Sequence, residues 1–160
     1  MANMTANVTR PTKGNVDVQY YGLVGYTDVQ GGSLAYTAYK GAIMLMDVSD
    51  IDGYAQPMLS TITAASGDVF LGINTSKVSV VAADTAQGDK DVLLATSGLF
   101  GFPVGSLVVT DIGAPIYATD DQTITTTSTN ALWIGTLINI DATYAWVNIG
   151  HAAGRTNTAT

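Results

Sequence analysis

DIGAPIYATDDQTITTTSTNALW, residues 111–133, carries strand, turn and strand in succession. A proline cannot donate to a sheet ladder, so Pro115 inside the apolar run from Ile112 to Ala118 belongs at a strand start, an edge or a bulge, and a strand is predicted to begin there. Asp120 and Asp121 follow, a pair that readily bonds its own backbone in a turn. The threonines from Thr123 to Thr129, with Ile124 among them, supply stiff β-branched side chains suited to a pleated strand. That pattern predicts a hairpin, with Asn130 marking the next turn. Leu132–Ile138 then returns as a buried strand, and after Asn139–Thr143 the chain goes out again through Tyr144–Ile149. The second half reads as a meander.

Composition points the same way. All thirteen acidic residues are Asp, and the absence of Glu removes a major helix former from a chain rich in Thr, Gly and Val. An all-β fold follows, a small antiparallel barrel or sandwich. The 160 residues fit one domain, since a chain of about 150 residues buries roughly 70% of its unfolded surface. With no cysteine there is neither a disulfide framework nor a thiolate metal site. The longest purely apolar run, Ala42–Met46, is far too short to span a bilayer, and Met1–Arg10 has no apolar signal core, so a soluble protein without a secretory signal is expected. A net charge of −7 opposes a phosphate backbone, which excludes nucleic acid as a partner in this reading.

The first 35 residues differ from the rest. They mix Asn, Thr, Gly and Gln, show neither a long alternation nor a helical stripe, and are expected to form an extended N-terminal arm. Residues 1–40 hold three basic against two acidic side chains, whereas residues 41–160 hold three against eleven. Six of the eight tyrosines, Tyr20, Tyr21, Tyr26, Tyr36, Tyr39 and Tyr54, lie in about the first third, where they can serve as core or as rigid contact area for a partner. Arg10, Lys13, Tyr20, Tyr21 and Tyr26 are therefore the candidate contact residues.

A β-rich domain is predicted over residues 36–150. Lys40–Met46 reads as an apolar strand and Asp47–Gly53 as a turn ending in Asp-Gly, the pair favoured where φ turns positive. Asp68–Ile73 and Val78–Val81 are further short strands, separated by a loop at Ala86–Lys90 from Val92–Ala95. Ser97-Gly98 reads as the turn between Val92–Ala95 and Leu99–Phe102, and Pro103–Gly105 as a loop leading to a strand at Leu107–Val109. Residues 151–160 are left as a flexible C-terminal tail.

Several pieces recur in order: Lys40-Gly41-Ala42-Ile43, Gly53-Tyr54-Ala55-x-Pro57, Asp68-Val69-Phe70-x-Gly72-Ile73, Gly98-Leu99-Phe100, Ile112-Gly113-x-Pro115-x-Tyr117-Ala118-Thr119-Asp120-Asp121, Ile134-Gly135 and Ala145-Trp146-Val147-x-Ile149. As an ordered set over about residues 39–150 they resemble the capsid cement, or head decoration, family of tailed bacteriophages. The resemblance implies a small β-rich virion protein, made in the host cytoplasm, that binds the major capsid protein on the outside of an icosahedral head. It implies trimers, commonly at three-fold and quasi-three-fold positions, and a homotrimer on the capsid is expected; no enzyme is expected from the residues themselves.

Catalytic and metal chemistry find little purchase in the residues. The one histidine, His151, falls in the tail, away from any base–nucleophile pair. Asp120-Asp121 and Asp47/Asp50/Asp52 are the candidate paired carboxylates, but an EF-hand loop needs a bidentate Glu at its twelfth position, and turn formation accounts for both groups. Gly98-x-x-Gly101-x-x-x-Gly105 lacks the Lys-Ser or Lys-Thr of a phosphate loop and is expected to be a strand connection. Asn3-Met4-Thr5, Asn7-Val8-Thr9 and Asn74-Thr75-Ser76 match the glycosylation pattern only by chance. No cofactor and no metal is expected. Trp133 and Trp146, on successive strands, fit a buried core or a sugar-stacking platform, so a β-rich phage adhesin or carbohydrate-binding module is the alternative function.

Overall fold

A computed structural model describes residues 3–30, 32–47, 53–62, 64 and 68–150. Within them the fold is all-β, antiparallel sheets in a sandwich-like arrangement, as the missing Glu and the Thr/Val/Gly pattern predict. The strands are β1 (Thr12–Gly22), β2 (Tyr36–Ala38), β3 (Ile43–Met46), β4 (Gln56–Pro57), β5 (Val69–Asn74), β6 (Val78–Val80), β7 (Asp91–Pro103), β8 (Pro115–Ala118), β9 (Ile124–Thr125), β10 (Leu132–Ile140) and β11 (Tyr144–Ile149). The main sheet runs β4-β3-β5-β7-β11-β10-β8-β9, with β1 also laid against β7, and β2 pairs β6 in a separate ladder.

The meander of the second half is present. β8 starts at Pro115, where the proline sits opposite Thr136 on β10, and β11 runs antiparallel between β10 and β7. The Thr-rich return is shorter than expected. Only Ile124 and Thr125 pair with β8, because the chain leaves the ladder once Ile124 is tucked under and Thr127 donates its N–H back to Thr125 Oγ1. Val109–Asp111 is a single 3-10 turn instead of a strand, closed by the Asp111 carboxylate accepting from Val108 N at 2.8 Å.

Ser97-Gly98 is not a turn. β7 passes straight through it as one 13-residue strand. Residues 91–97 face β1, with β5 at Leu94–Ala95, and from Gly98 onward β11 takes over the opposite edge. Gly98, at φ +132°, lies beside Asn15 O, 3.1 Å from where a Cβ would stand. A glycine here permits a change of neighbours inside one strand, which sequence alone renders as a break. The core gathers Phe70, Phe102, Leu94, Ile116, Leu132, Ile134 and Leu137, all fully buried.

The separate arm expected over residues 1–35 is corrected by the structure. Residues 12–22 are a strand of the domain's own sheet, and Met4, Leu23, Val24 and Val29 belong to the core. The signal was present: Val16, Val18 and Tyr20 alternate with Asn15, Asp17 and Gln19. It was weak because β1 is exposed on both faces for most of its length, so neither set of alternate residues had to be uniformly apolar. The expected tail 151–160, His151, Asp50 and Asp52 lie outside the described residues.

Candidate protein-protein interface

Residues 3–11 form a strap across the body, held at each step. Met4 N donates to Asp121 Oδ1 at 2.8 Å, Val8 N to Lys40 O at 2.8 Å, and Gly101 N to Pro11 O at 2.8 Å. Asn3 Oδ1 accepts from Ser60 N and Asn7 Oδ1 from Lys40 N. Gly41 and Gly101 are what let the strap lie this close. A Cβ on Gly101 would stand 2.7 Å from Pro11 Cγ, and one on Gly41, already at φ +90°, would strike the Val8 carbonyl. Two of the three glycosylation-like asparagines are thus strap pins. The third, Asn74, is buried and donates Nδ2 to the carbonyls of Ala38 and Tyr39, both at 2.9 Å.

Arg10 is where the structure departs most from a contact residue. It is 8% exposed, its Nε donates to Gly41 O at 2.6 Å, and its guanidinium lies 4.2 Å from the Phe102 ring centroid. Burial lowers its pKa to about 10, against the opposing pull of Asp121 and Asp120. Those two carboxylates are buried as well. Asp120 Oδ1 accepts from Gln122 N and Thr123 N, the turn expected of the pair, while burial, with Asp120 adding to it, pushes the Asp121 carboxyl up to about 6. Asp120 Oδ2, Asp121 Oδ2 and Arg10 Nη2 are buried and have no hydrogen-bond partner among the described residues. The strap is clasped to the sheet by this polar cluster, which no sequence pattern joins, since Arg10 and Asp121 are distant along the chain.

The remaining candidates spread along β1 and beyond. Lys13 is exposed, with Nζ 4.0 Å from the Trp146 ring centroid. Tyr20 is 71% exposed, whereas Tyr21 and Tyr26 are half-buried and pack against the core. The structure therefore separates the five: Arg10 is structural, Tyr21 and Tyr26 are anchors, and Lys13 and Tyr20 face outward. Val18, 54% exposed, stands on the same face of β1 as Tyr20, two residues away.

Trp146 is 5% exposed, and its Nε1 donates to Asp141 Oδ2 at 2.7 Å. Asp141 Oδ1 also accepts from Thr143 N and Tyr144 N, each at 2.8 Å, and these donors together hold the carboxyl down at about 2. A second outward apolar group, Val108, Val109, Ile112 and Ile138, surrounds the loop before β8 and the end of β10. An open cleft of about 510 Å³ lies between the strap and β2–β6, lined by Met4, Leu34, Tyr36, Tyr39, Leu59 and Val80 among others, with Asp121 its one carboxyl among the described residues. No group of three His, Cys, Asp or Glu among the described residues is placed to hold a metal. None of the described helical turns is long and apolar enough to cross a membrane.

The chain matches no family model, no curated protein and no solved structure.

Proposed function

We propose that the chain is a structural virion protein that binds the outer surface of an icosahedral phage head and stabilises it by clamping neighbouring capsomers. It acts without catalysis, as a homotrimer on the major capsid protein. The observation that carries this reading is where the ordered family-like pieces fall. Each piece includes part of β3, β4, β5, β7, β8, β10 or β11, neighbours in the main sheet, together with the turns that flank β3, β4 and β8, so the resemblance runs along the sheet's framework. A sugar-binding adhesin would need Trp133 and Trp146 on one open platform, and Trp146 is buried beneath Lys13. A protein that binds the assembled head raises the temperature at which it ruptures by mass action. Particles carrying this chain, compared with particles stripped of it, test the proposal. The complete ones are expected to release DNA at the higher temperature, and equal release temperatures contradict it.

A further inference from the structure

The edges of the main sheet are unequal. β4 and β9, which end its hydrogen-bonded path, are two residues long, too short to receive another strand. β1 is 11 residues long and, among the described residues, its outer edge is open as far as Tyr21; at Gly22 the carbonyl accepts from Ala55 N at 2.8 Å, which closes that end. Proteins usually blunt such an edge with a charge, a proline or a bulge. The first half of β1 has those devices: Lys13, Gly14 at φ +74°, and register shifts between Lys13 and Asp17 and between Asp17 and Val18. The second half has none. From Val18 to Gly22 the pairing with β7 is regular, and the outward residues are Val18 and Tyr20, with exposed Gln19 between them.

We infer that this half-strand is a docking edge for a second copy of the same chain, pairing antiparallel with β1 of its partner about a two-fold axis at Gln19. Among the described residues only β1 offers a long open edge, so a second copy supplies the matching one. A two-fold perpendicular to the sheet keeps faces in common, and centring it on Gln19 sets Val18 of each chain opposite Tyr20 of the other. Those are two aromatic–β-branched cross-strand pairs from one operation. It also sets Asp17 opposite Tyr21, so no like charges meet. Centring on Asp17 would place two carboxylates face to face. The contact is independent of any capsid; on a particle it would join copies beyond a three-fold cluster.

The interface is small, so the dimer is concentration-dependent. Sedimentation of the full chain from about 10 µM to about 1 mM is expected to show the mass rising from 16.6 kDa toward twice that value. The double variant Val18→Lys, Tyr20→Lys changes only exposed side chains and sets ammonium groups opposite one another. It is expected to remain monomeric with an unchanged far-ultraviolet spectrum. Since the chain has no cysteine, Gln19→Cys introduces a single thiol on the axis, where opposed Cα atoms about 4.5–5.5 Å apart fall within disulfide range. It is expected to oxidise to a covalent dimer at least about tenfold faster than the exposed control Val109→Cys. A chain that stays monomeric throughout, a dimer indifferent to the two lysines, or equal oxidation of the two cysteine variants overturns the pairing.

Discussion

The strap of residues 3–11 and strand β1 adjoin in sequence and share a polar composition, yet the structure treats them oppositely. The strap carries a charged residue into the interior and is pinned along its length, while β1 carries aromatic and aliphatic residues out into solvent. Residue type alone would assign them the other way round. The difference lies in what each segment crosses. The strap passes over Gly41 and Gly101, which admit its backbone, and meets two carboxylates that favour a cation. β1 lies at the rim of β7, and up to Tyr21 its other edge meets no strand among the described residues.

The sharpest way to break this contrast is to remove the cation. Arg10→Ala strips the ring contact with Phe102 and the bond to Gly41 O, and leaves Asp120 and Asp121 buried without a nearby positive charge. A loss of about 3 kcal/mol is expected in urea unfolding. Arg10→Lys should recover only part of it, because an ammonium lacks the planar fork that both stacks and donates. A loss below about 1 kcal/mol would mean that the strap is loosely held.

A smaller effect is expected from closing the space beneath the strap. Gly101→Val places side-chain atoms where Pro11 lies, and overpacking of this kind costs about 1–3 kcal/mol. Amide exchange should then rise at Val8 and Gly101, whose N–H groups depend on the strap's course, and not at Tyr20.

The clasp should also respond to pH. Asp121 is raised in the folded chain to about 6 from an ordinary 3.8, so its contribution is fully present below about 3.8 and is lost as pH rises through about 6. Between pH 7 and pH 5 acidification should therefore raise the melting temperature, and Asp121→Asn should flatten that slope while keeping an oxygen to accept from Met4 N. Asp141 has the opposite sense. Its depressed carboxyl gives stability that is present above about 3.8 and lost as pH falls through about 2, outside the window used for Asp121. A slope unchanged by Asp121→Asn would place the titration elsewhere.

The smallest effect on stability, and the largest on association, belongs to β1. Tyr20→Ala should shift unfolding by no more than about 0.5 kcal/mol, as exposed substitutions do, while weakening the binding that this strand mediates. Loss of several kcal/mol would mark Tyr20 as part of the fold.

Where the sequence was legible, one face of a strand was buried and its ends were marked. Pro115, Asp120 and the apolar runs Leu132–Ile138 and Tyr144–Ile149 announced β8, the turn, β10 and β11 directly. Reading failed where long-range neighbours overruled local signals. Ser97-Gly98 has turn chemistry but becomes part of β7 because β1 and β11 pair on either side of it. The exposure of the five candidate residues was legible only in part, for a related reason. Lys13 and Tyr20 do face outward, but nothing near Arg10 in sequence reveals that Phe102 and Asp121 await it.

Deleting residues 1–11 tests most directly whether the strap belongs to the fold. The account predicts a melting temperature lower by about 10 °C or more, with loss of the near-ultraviolet signal from the Tyr144–Trp146 pair, whose rings stand 5.8 Å apart edge to face near the strap's end. A shortened chain that melts within a degree of the full one, with that signal intact, would contradict it.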